Sequence, residues 1–239
     1  MGPHDLLTIY STKAAEYLVG VGYLLLFIPF WRYVTRPLAR TAESVKAVSP
    51  ALARDPSEWF QLPERTYYHP GHTWARVDGE IVTVGMDEFA GRLVGPVAAL
   101  ALPVVGATVE QGGPAWTLGT DIGDLPMLSP VDGTVIATNE DARSVPALVR
   151  DSPYQDGWVF KVRSPRLAAN LKHLFTGTLA RRWMEDVVGR LRLDCGMELG
   201  LVNQDGGQLL DGFARVLDPD RPTDAARRFL LTDDGGHHE

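Results

Sequence analysis

The middle of this sequence is a series of short segments with the alternating pattern of half-buried β-strands, each bounded by turn residues. Thr73–Val77 and Glu80–Gly85 flank the pair Asp78-Gly79, which is typical of a tight β-hairpin turn. Further strand-like segments lie at 97–102, 115–118, 133–138 and 157–162. Many short strands at regular spacing with turn signals indicate a β-sandwich or barrel. The sequence therefore predicts a mainly β body.

Helical patterns occur inside and after this body. Residues 86–93 place apolar side chains on one face of a short helix. Leu179, Trp183, Val187 and Leu191 recur every four residues with charged residues between them, which predicts a longer amphipathic helix. We expect Thr223 to cap a last short helix. The chain therefore ends in an α-helical extension.

An almost wholly apolar run near the N-terminus predicts one transmembrane helix over residues 14–35. Its length approaches the ~20 residues that a helix needs to cross a bilayer. Aromatic side chains lie near both ends of the run, at Tyr10, Tyr17, Trp31 and Tyr33. A cleaved signal peptide fits poorly, because residues 1–11 contain no Lys or Arg. A hydrophobic helix that docks on a partner stays open as an alternative.

The flanking cations predict the orientation of this helix. Lys13 precedes the run, whereas Arg32, Arg36, Arg40 and Lys46 follow it. The positive-inside rule then places the C-terminal bulk in the cytoplasm and the short N-terminus outside. We therefore expect a single-pass protein of a bacterial inner membrane.

The β body resembles the lipoyl-carrying H protein of the glycine cleavage system. The segments that carry the resemblance are His72-Thr-Trp74, Gly85-Met-Asp-Glu-Phe-Ala90, Leu102-Pro-Val-Val-Gly106, Ser129-Pro-Val-Asp-Gly133 and Ser152-Pro-Tyr154 with Gly157-Trp158. They occur in the order and at the spacing of that family. The resemblance implies a lipoyl-like β-sandwich, also called a barrel-sandwich hybrid. We accordingly predict a tail (1–13), the transmembrane helix (14–35), a juxtamembrane linker (36–64), an H-protein-like β domain (65–165), a helical extension (166–232) and a disordered tail (233–239).

The resemblance does not extend to the lysine that carries the lipoyl group in that family. The family presents its lipoyl lysine at a hairpin tip, and counting back from Ser129-Pro130 puts that position on Ile122. No lysine occurs between Lys46 and Lys161. Glu43-Ser-Val-Lys-Ala47 repeats the family's lipoylation motif letter for letter, but it follows the predicted membrane span and precedes every predicted strand. We therefore regard Lys46 as a decoy and predict no covalent cofactor.

The remaining chemistry-bearing residues give weak signals. A net charge of -7 argues against a nucleic-acid partner. The single cysteine, Cys195, excludes an intrachain disulfide and a multi-cysteine metal site. His72 and Trp74 fit structural roles in the first strands better than catalytic ones, and His69 adds no third metal ligand. We predict no catalytic, metal-binding or cofactor-binding residues.

An apolar run, Leu125-Pro-Met-Leu128, lies where the root of a lipoyl arm would be. An exposed apolar tip is typical of a contact surface, so we predict that it packs on a partner or on the helical extension. The first functional hypothesis is a non-enzymatic, membrane-anchored accessory or scaffold subunit, with a redox or respiratory membrane complex as one setting. The alternatives are a lipoyl or other cofactor carrier, and an enzyme whose site lies between the β body and the helices.

Overall fold

The structure, a computed structural model, describes residues 59–194 and 211–232 together with the single residue Phe27. The chain divides into two compact units, residues 1–53 and 54–239. Phe27, the one described residue of the first unit, is helical and 39% exposed. The rest of the predicted transmembrane helix, Lys46 and the predicted C-terminal tail lie outside the described residues. In the two described ranges, no helix has both the length and the apolar character needed to cross a bilayer.

The described part of the second unit is built mainly from β-strands. Its strands are β1 (Tyr67–Tyr68), β2 (Thr73–Asp78), β3 (Ile81–Met86), β4 (Val97–Ala101), β5 (Thr108–Val109), β6 (Pro114–Thr120), β7 (Gly123–Leu128), β8 (Gly133–Thr138) and β9 (Phe160–Arg163). They form a six-stranded antiparallel sheet in the order β1-β2-β3-β9-β8-β5 and a three-stranded antiparallel sheet in the order β4-β6-β7. Buried residues from both sheets form one hydrophobic cluster, as expected of a sandwich.

Short helices connect the strands, and longer ones follow the last strand. They are α1 (Glu88–Val94), α2 (Glu140–Ser144), α3 (Leu148–Asp151), α4 (Leu167–Asn170), a 3₁₀ turn (Leu171–His173), α5 (Gly177–Asp194), α6 (Ala214–Leu217) and α7 (Pro222–Leu230). The predicted amphipathic stripe of α5 is buried at Trp183, Val187 and Leu191, whereas Leu179 is exposed. The mainly β architecture with helices around it agrees with the fold expected from the sequence.

The first predicted hairpin forms with its turn shifted by one residue. Asp78 pairs with Ile81, so the turn residues are Gly79 and Glu80 rather than Asp78 and Gly79. Gly79 has φ +62°, a left-handed conformation that glycine adopts without strain. Turn chemistry therefore located this hairpin correctly but not its final strand pair.

Gly85 of β3 makes room for the largest side chain of the core. It lies opposite Trp74 of β2, and a Cβ atom at Gly85 would come within 2.6 Å of the Trp74 indole ring. The indole is fully buried, and its Nε1 donates to the carbonyl oxygens of Met86 at 2.9 Å and Pro153 at 3.2 Å. These contacts hold the ring in place, so it cannot move aside for a larger residue at position 85.

We predict that Gly85→Ala lowers the free energy of unfolding by about 1–3 kcal/mol, because the added methyl group overpacks the core against Trp74. Thermal unfolding of the full-length chain in a mild detergent measures the change. Gly189→Ala is the matched control. Gly189 lies in α5 with no atom within 4 Å of an added Cβ, so alanine there stabilises the helix by up to ~1 kcal/mol. Equal melting temperatures for the two variants would contradict the packing argument.

His69 makes the stability of the fold depend on pH. Its Nδ1 accepts a hydrogen bond from the Gly71 N–H at 3.0 Å. Burial, with a smaller contribution from nearby His72, lowers the pKa of His69 to about 4. The folded state therefore disfavours the charged ring more than the unfolded state does. The resulting stability is fully present above the unfolded pKa of about 6.5 and is lost as the pH falls towards 4.

We predict that the free energy of unfolding falls by at most ~3 kcal/mol between pH 6.5 and pH 4 through His69, at 1.36 kcal/mol per pKa unit. His69→Asn removes the titrating ring. The asparagine side chain still accepts from the N–H two residues ahead. Unfolding curves of both proteins across this pH range should show a shallower slope for the variant. Identical slopes would mean that other groups set the acid sensitivity.

Candidate functional site

The hairpin formed by β6 and β7 places Ile122 at its tip. The last strand pair joins Thr120 and Gly123, so the turn consists of Asp121 and Ile122 alone. The Thr120 hydroxyl donates to the Gly123 carbonyl at 2.7 Å, and Gly123 takes φ +126°, which L side chains rarely adopt. Ile122, the position predicted from the sequence to correspond to the lipoyl lysine, is therefore a turn position at the hairpin apex.

The four residues predicted to pack on a partner or on the helical extension are held inside the chain. Leu125 and Met127 are fully buried and belong to the hydrophobic cluster, Leu128 is 8% exposed, and Pro126 is half-buried. They form most of strand β7 rather than a loop, so Leu125 and Met127 point to the same face of the sheet, towards the core. A charged residue at Met127 would thus act on the core and not on a partner interface.

The segment 211–232, which we call the C-terminal strap, lies against this hairpin. Helix α7 packs on β7, and the Thr223 hydroxyl donates to the Ile122 carbonyl oxygen. This contact corrects the predicted capping role of Thr223, because α7 has no side-chain cap. Arg227 adds a longer hydrogen bond, 3.5 Å, from its Nη2 to the Asp124 carbonyl oxygen. The backbone of the hairpin tip is therefore engaged by α7 of the same chain.

An ion pair adds to these backbone contacts. The guanidinium of Arg215, in α6, pairs with the Asp121 carboxylate at the tip. A hydrogen bond from Arg215 lowers the pKa of Asp121. Both side chains are largely exposed, so this pair contributes little to stability. Its effect is to fix where the strap meets the tip.

The start of the strap is attached at the end of α1. The Gly212 N–H donates to the Arg92 carbonyl oxygen at 2.7 Å. The Asp211 carboxylate lies 3.3 Å from Arg150 Nη1 and 3.8 Å from Arg92 Nη1. Phe213 follows and is fully buried. Burying one such side chain stabilises the folded state by roughly 1.5–3 kcal/mol, which exceeds the contribution of the exposed ion pairs.

The Phe89 ring of α1 is the point where the strap and the β body meet. Its centroid lies 5.4 Å from Phe213 and 5.5 Å from Phe229, both on the strap. On the side of the body it lies 5.2 Å from Phe60 and 4.2 Å from the His72 ring. The strap therefore shares a core with the body and is not a loosely attached tail.

His72 and Asp87 form a buried polar pair beside Phe89. His72 Nδ1 and Asp87 Oδ2 are 2.8 Å apart, and neither side chain is more than 1% exposed. Asp87 also caps α1, because its Oδ1 accepts from the Ala90 N–H at 2.9 Å. The structural role expected for His72 is thus to hold the carboxylate that starts α1. An aspartate directly before an apolar-periodic segment is the signal that could have identified Asp87 from sequence.

Within the described ranges, no group of three or more His, Cys, Asp or Glu side chains could hold a metal ion. His69 Nδ1 already accepts a hydrogen bond from the Gly71 N–H, and His72 Nδ1 is hydrogen-bonded to Asp87. The polar atoms of the hairpin and strap hold the two segments together.

Comparison with known proteins identifies the β body. The profile of the family described as glycine cleavage H-protein matches residues 66–187. The chain is 33% identical over 126 residues to the glycine cleavage system H protein of Magnetococcus marinus, a match that covers 53% of this chain and 89% of that protein. With the H protein of Rippkaea orientalis the identity is 37% over 112 residues, covering 47% and 85% respectively. A crystal structure of an H protein from Mycobacterium marinum aligns with a TM-score of 0.47 at 22% identity, over 53% of this chain and 99% of that chain.

The matched region ends inside α5, beyond the domain boundary at residue 165 predicted from the sequence. The strap lies outside it. Proteins of the matched family carry a lipoyl group, interact with the partner enzymes of glycine cleavage and are not themselves catalysts. The profile match spans more than half of the 239 residues, and the Magnetococcus protein is covered over most of its length. On these grounds the chain belongs to the glycine cleavage H-protein family.

Proposed function

We propose that this chain is a non-lipoylated member of its family that serves as a non-enzymatic, membrane-anchored accessory or scaffold subunit. One observation carries the proposal. The apex of the hairpin that would present a lipoyl lysine is Ile122, and the chain's own Thr223 occupies its carbonyl oxygen. A lipoyl arm requires a lysine amine at that apex, and an isoleucine side chain has no atom that can form the amide.

The lysines of the described body do not replace the missing one. Lys161 lies in β9, and its Nζ stands 4.9 Å above the centre of the Trp158 ring. This cation–π contact keeps the amine against the body. Lys172 lies in the 3₁₀ turn after α4. Neither is at the tip of a hairpin, where an arm can swing between partners.

The N-terminal sequence supports attachment to a membrane. The apolar run at 14–35 and the cations that follow it fit a single-pass helix with the family domain on the cytoplasmic side of a bacterial inner membrane. A soluble carrier must visit several enzymes, whereas a tethered domain stays beside one assembly. Tethering and the absence of the arm thus favour the same role, which is to dock protein partners within a membrane complex. A redox or respiratory complex is one setting for this role.

The two alternative functions, a cofactor carrier and an enzyme, would require different residues. A lipoyl carrier would have to use Lys46, far in sequence from the family's hairpin. An enzyme would need polar groups between the body and the strap, and the His72–Asp87 pair is the observation that favours it. Helix capping and stacking account for both of these side chains, so we place the scaffold role first.

We predict that the full-length chain, co-expressed with a lipoate ligase, stays in washed membranes and carries no lipoyl group. Intact mass after extraction in a mild detergent measures the modification, and size-exclusion chromatography of the same sample measures assembly. A lipoyl-accepting H protein expressed in the same cells is the positive control, and Lys46→Arg locates any modification. Added lipoyl mass lost in that variant would establish a carrier. Recovery as a lone, unmodified monomer would count against the subunit role.

We predict that a cysteine at the hairpin apex reacts slowly with a maleimide, because the strap covers this position. In a Cys195→Ser background, Ile122→Cys should label several-fold more slowly than Val104→Cys, a position that is 77% exposed. Adding Arg215→Ala and Thr223→Val should accelerate labelling at 122 and leave labelling at 104 unchanged. Labelling at 122 as fast as at 104 would show that the strap does not protect the tip. Equal rates at 122 with and without the two changes would show that these polar contacts do not set where the strap lies.

A further inference from the structure

A cleft opens where α5 and α7 meet the β body. Its volume is about 200 Å³, and its lining includes His72, Trp183, Arg190, Asp194, Arg228 and Phe229. Only His72 and Trp183 of these six fall in the region matched by the family profile. The others belong to the last turns of α5 and α7. Most of this lining therefore comes from residues beyond the matched region.

Aromatic side chains give the cleft flat walls. Trp183 is held by Phe175, which stacks on it with ring centroids 5.3 Å apart, and it lies 5.0 Å from the His72 ring. Phe229 is held by Phe89 at 5.5 Å. Rings fixed in this way form a preformed surface against which a planar ligand can pack with little loss of side-chain entropy.

The volume limits the ligand to one ring with a short substituent. An apolar protein cavity of roughly 150 Å³ accepts benzene. The cleft exceeds that volume by about the space of one or two small polar groups. A ring bearing a carboxylate or acetate group fits this space, and a larger ligand would extend out of the cleft into solvent.

The charged side chains at the cleft favour a negatively charged ligand. Arg190 and Arg228 are exposed, and neither has an ion-pair or hydrogen-bond partner among residues 59–194 and 211–232. Asp194 contributes one negative charge against these two guanidinium groups, so the rim favours an anion. Guanidinium groups bind carboxylates with charge-assisted hydrogen bonds. The single excess positive charge matches a monoanion.

His72, whose ring is otherwise buried, supplies a polar atom at the cleft. The ring is 1% exposed, and Asp87 engages its Nδ1 at 2.8 Å. Nε2 has no partner in the described part of the chain. An imidazole nitrogen of this kind can accept or donate one hydrogen bond according to its protonation. A polar group on the ligand therefore has a fixed partner besides the arginines.

We propose that this cleft binds a small aromatic monocarboxylate. The proposal is independent of the scaffold role, since it concerns a different face of the strap from the hairpin tip. Because Trp183 comes from the body and Phe229 from the strap, a bound ligand joins the two. By linkage, a ligand that binds only the closed arrangement stabilises the strap against opening.

Isothermal titration of the full-length chain in a non-ionic detergent tests the proposal, with benzoate and phenylacetate as probes and detergent alone as the blank. Saturable binding of at least one acid is expected. Arg190→Gln and Arg228→Gln should each weaken it by about tenfold, equivalent to roughly 1.4 kcal/mol, as expected for loss of one charge-assisted contact. The neutral analogue benzamide should bind at least tenfold more weakly than benzoate, because it lacks the negative charge.

The matched controls are Arg181→Gln and Arg182→Gln, which remove exposed arginines of the same helix that do not line the cleft. They should leave the affinity unchanged, and all four variants should keep the melting temperature of the unliganded protein. The proposal is wrong if neither acid binds at millimolar concentration. It is also wrong if the control variants weaken binding as much as Arg190→Gln does, or if inorganic phosphate binds as tightly as the aromatic acids.

Discussion

The packing of four aromatic neighbours around Phe89 is the interaction on which the arrangement of this chain depends. His72 and Phe60 reach the ring from the body, and Phe213 and Phe229 reach it from the strap. Aromatic pairs at these distances contribute about 0.5–1.5 kcal/mol each beyond the burial of their area. The ion pairs of the strap are exposed and contribute about 0–1 kcal/mol each. Hydrophobic packing therefore holds the strap closed, and the polar contacts determine where it lies.

Because packing and polar contacts both hold the strap, a partner cannot reach the backbone of the hairpin tip without displacing it. To reach the backbone at Ile122, a partner must displace Thr223, and α7 carries Phe229 and the fully buried Leu230 into the core. Opening the tip thus exposes apolar surface as well as breaking hydrogen bonds. A partner that opened the strap would have to cover that surface, whereas one that binds the closed form meets the outer face of the strap. A scaffold role is compatible with the closed form as it stands.

Local sequence signals predicted the elements of the body well and their tertiary contacts poorly. Strand alternation, the turn pair at Asp78-Gly79 and the helical face around Phe89 each reflect neighbouring residues. Most of the predicted elements form within two residues of their expected place, but the strand expected at 157–162 begins only at Phe160, and strand β7 was not predicted. The burial of Leu125 and Met127 and the role of Thr223 depend on contacts between segments about a hundred residues apart, such as the hydrogen bond from Thr223 to Ile122 with a separation of 101. An apolar strand and an exposed apolar tip have the same composition, so the sequence could not separate them.

The strap and the apex of the β6–β7 hairpin meet at a single backbone position. The family profile ends at residue 187, before the strap, and the hairpin apex in the matched body is Ile122. The added segment places a hydroxyl on the carbonyl oxygen of that same isoleucine and a guanidinium on the neighbouring aspartate. An arm at this apex would need free space through which to swing, and α7 lies in that space. In the proposed non-lipoylated role no arm has to swing, so the apex can be covered without loss of function. In that proposal the strap and the Ile122 apex act together, and the hairpin tip becomes part of the packed body.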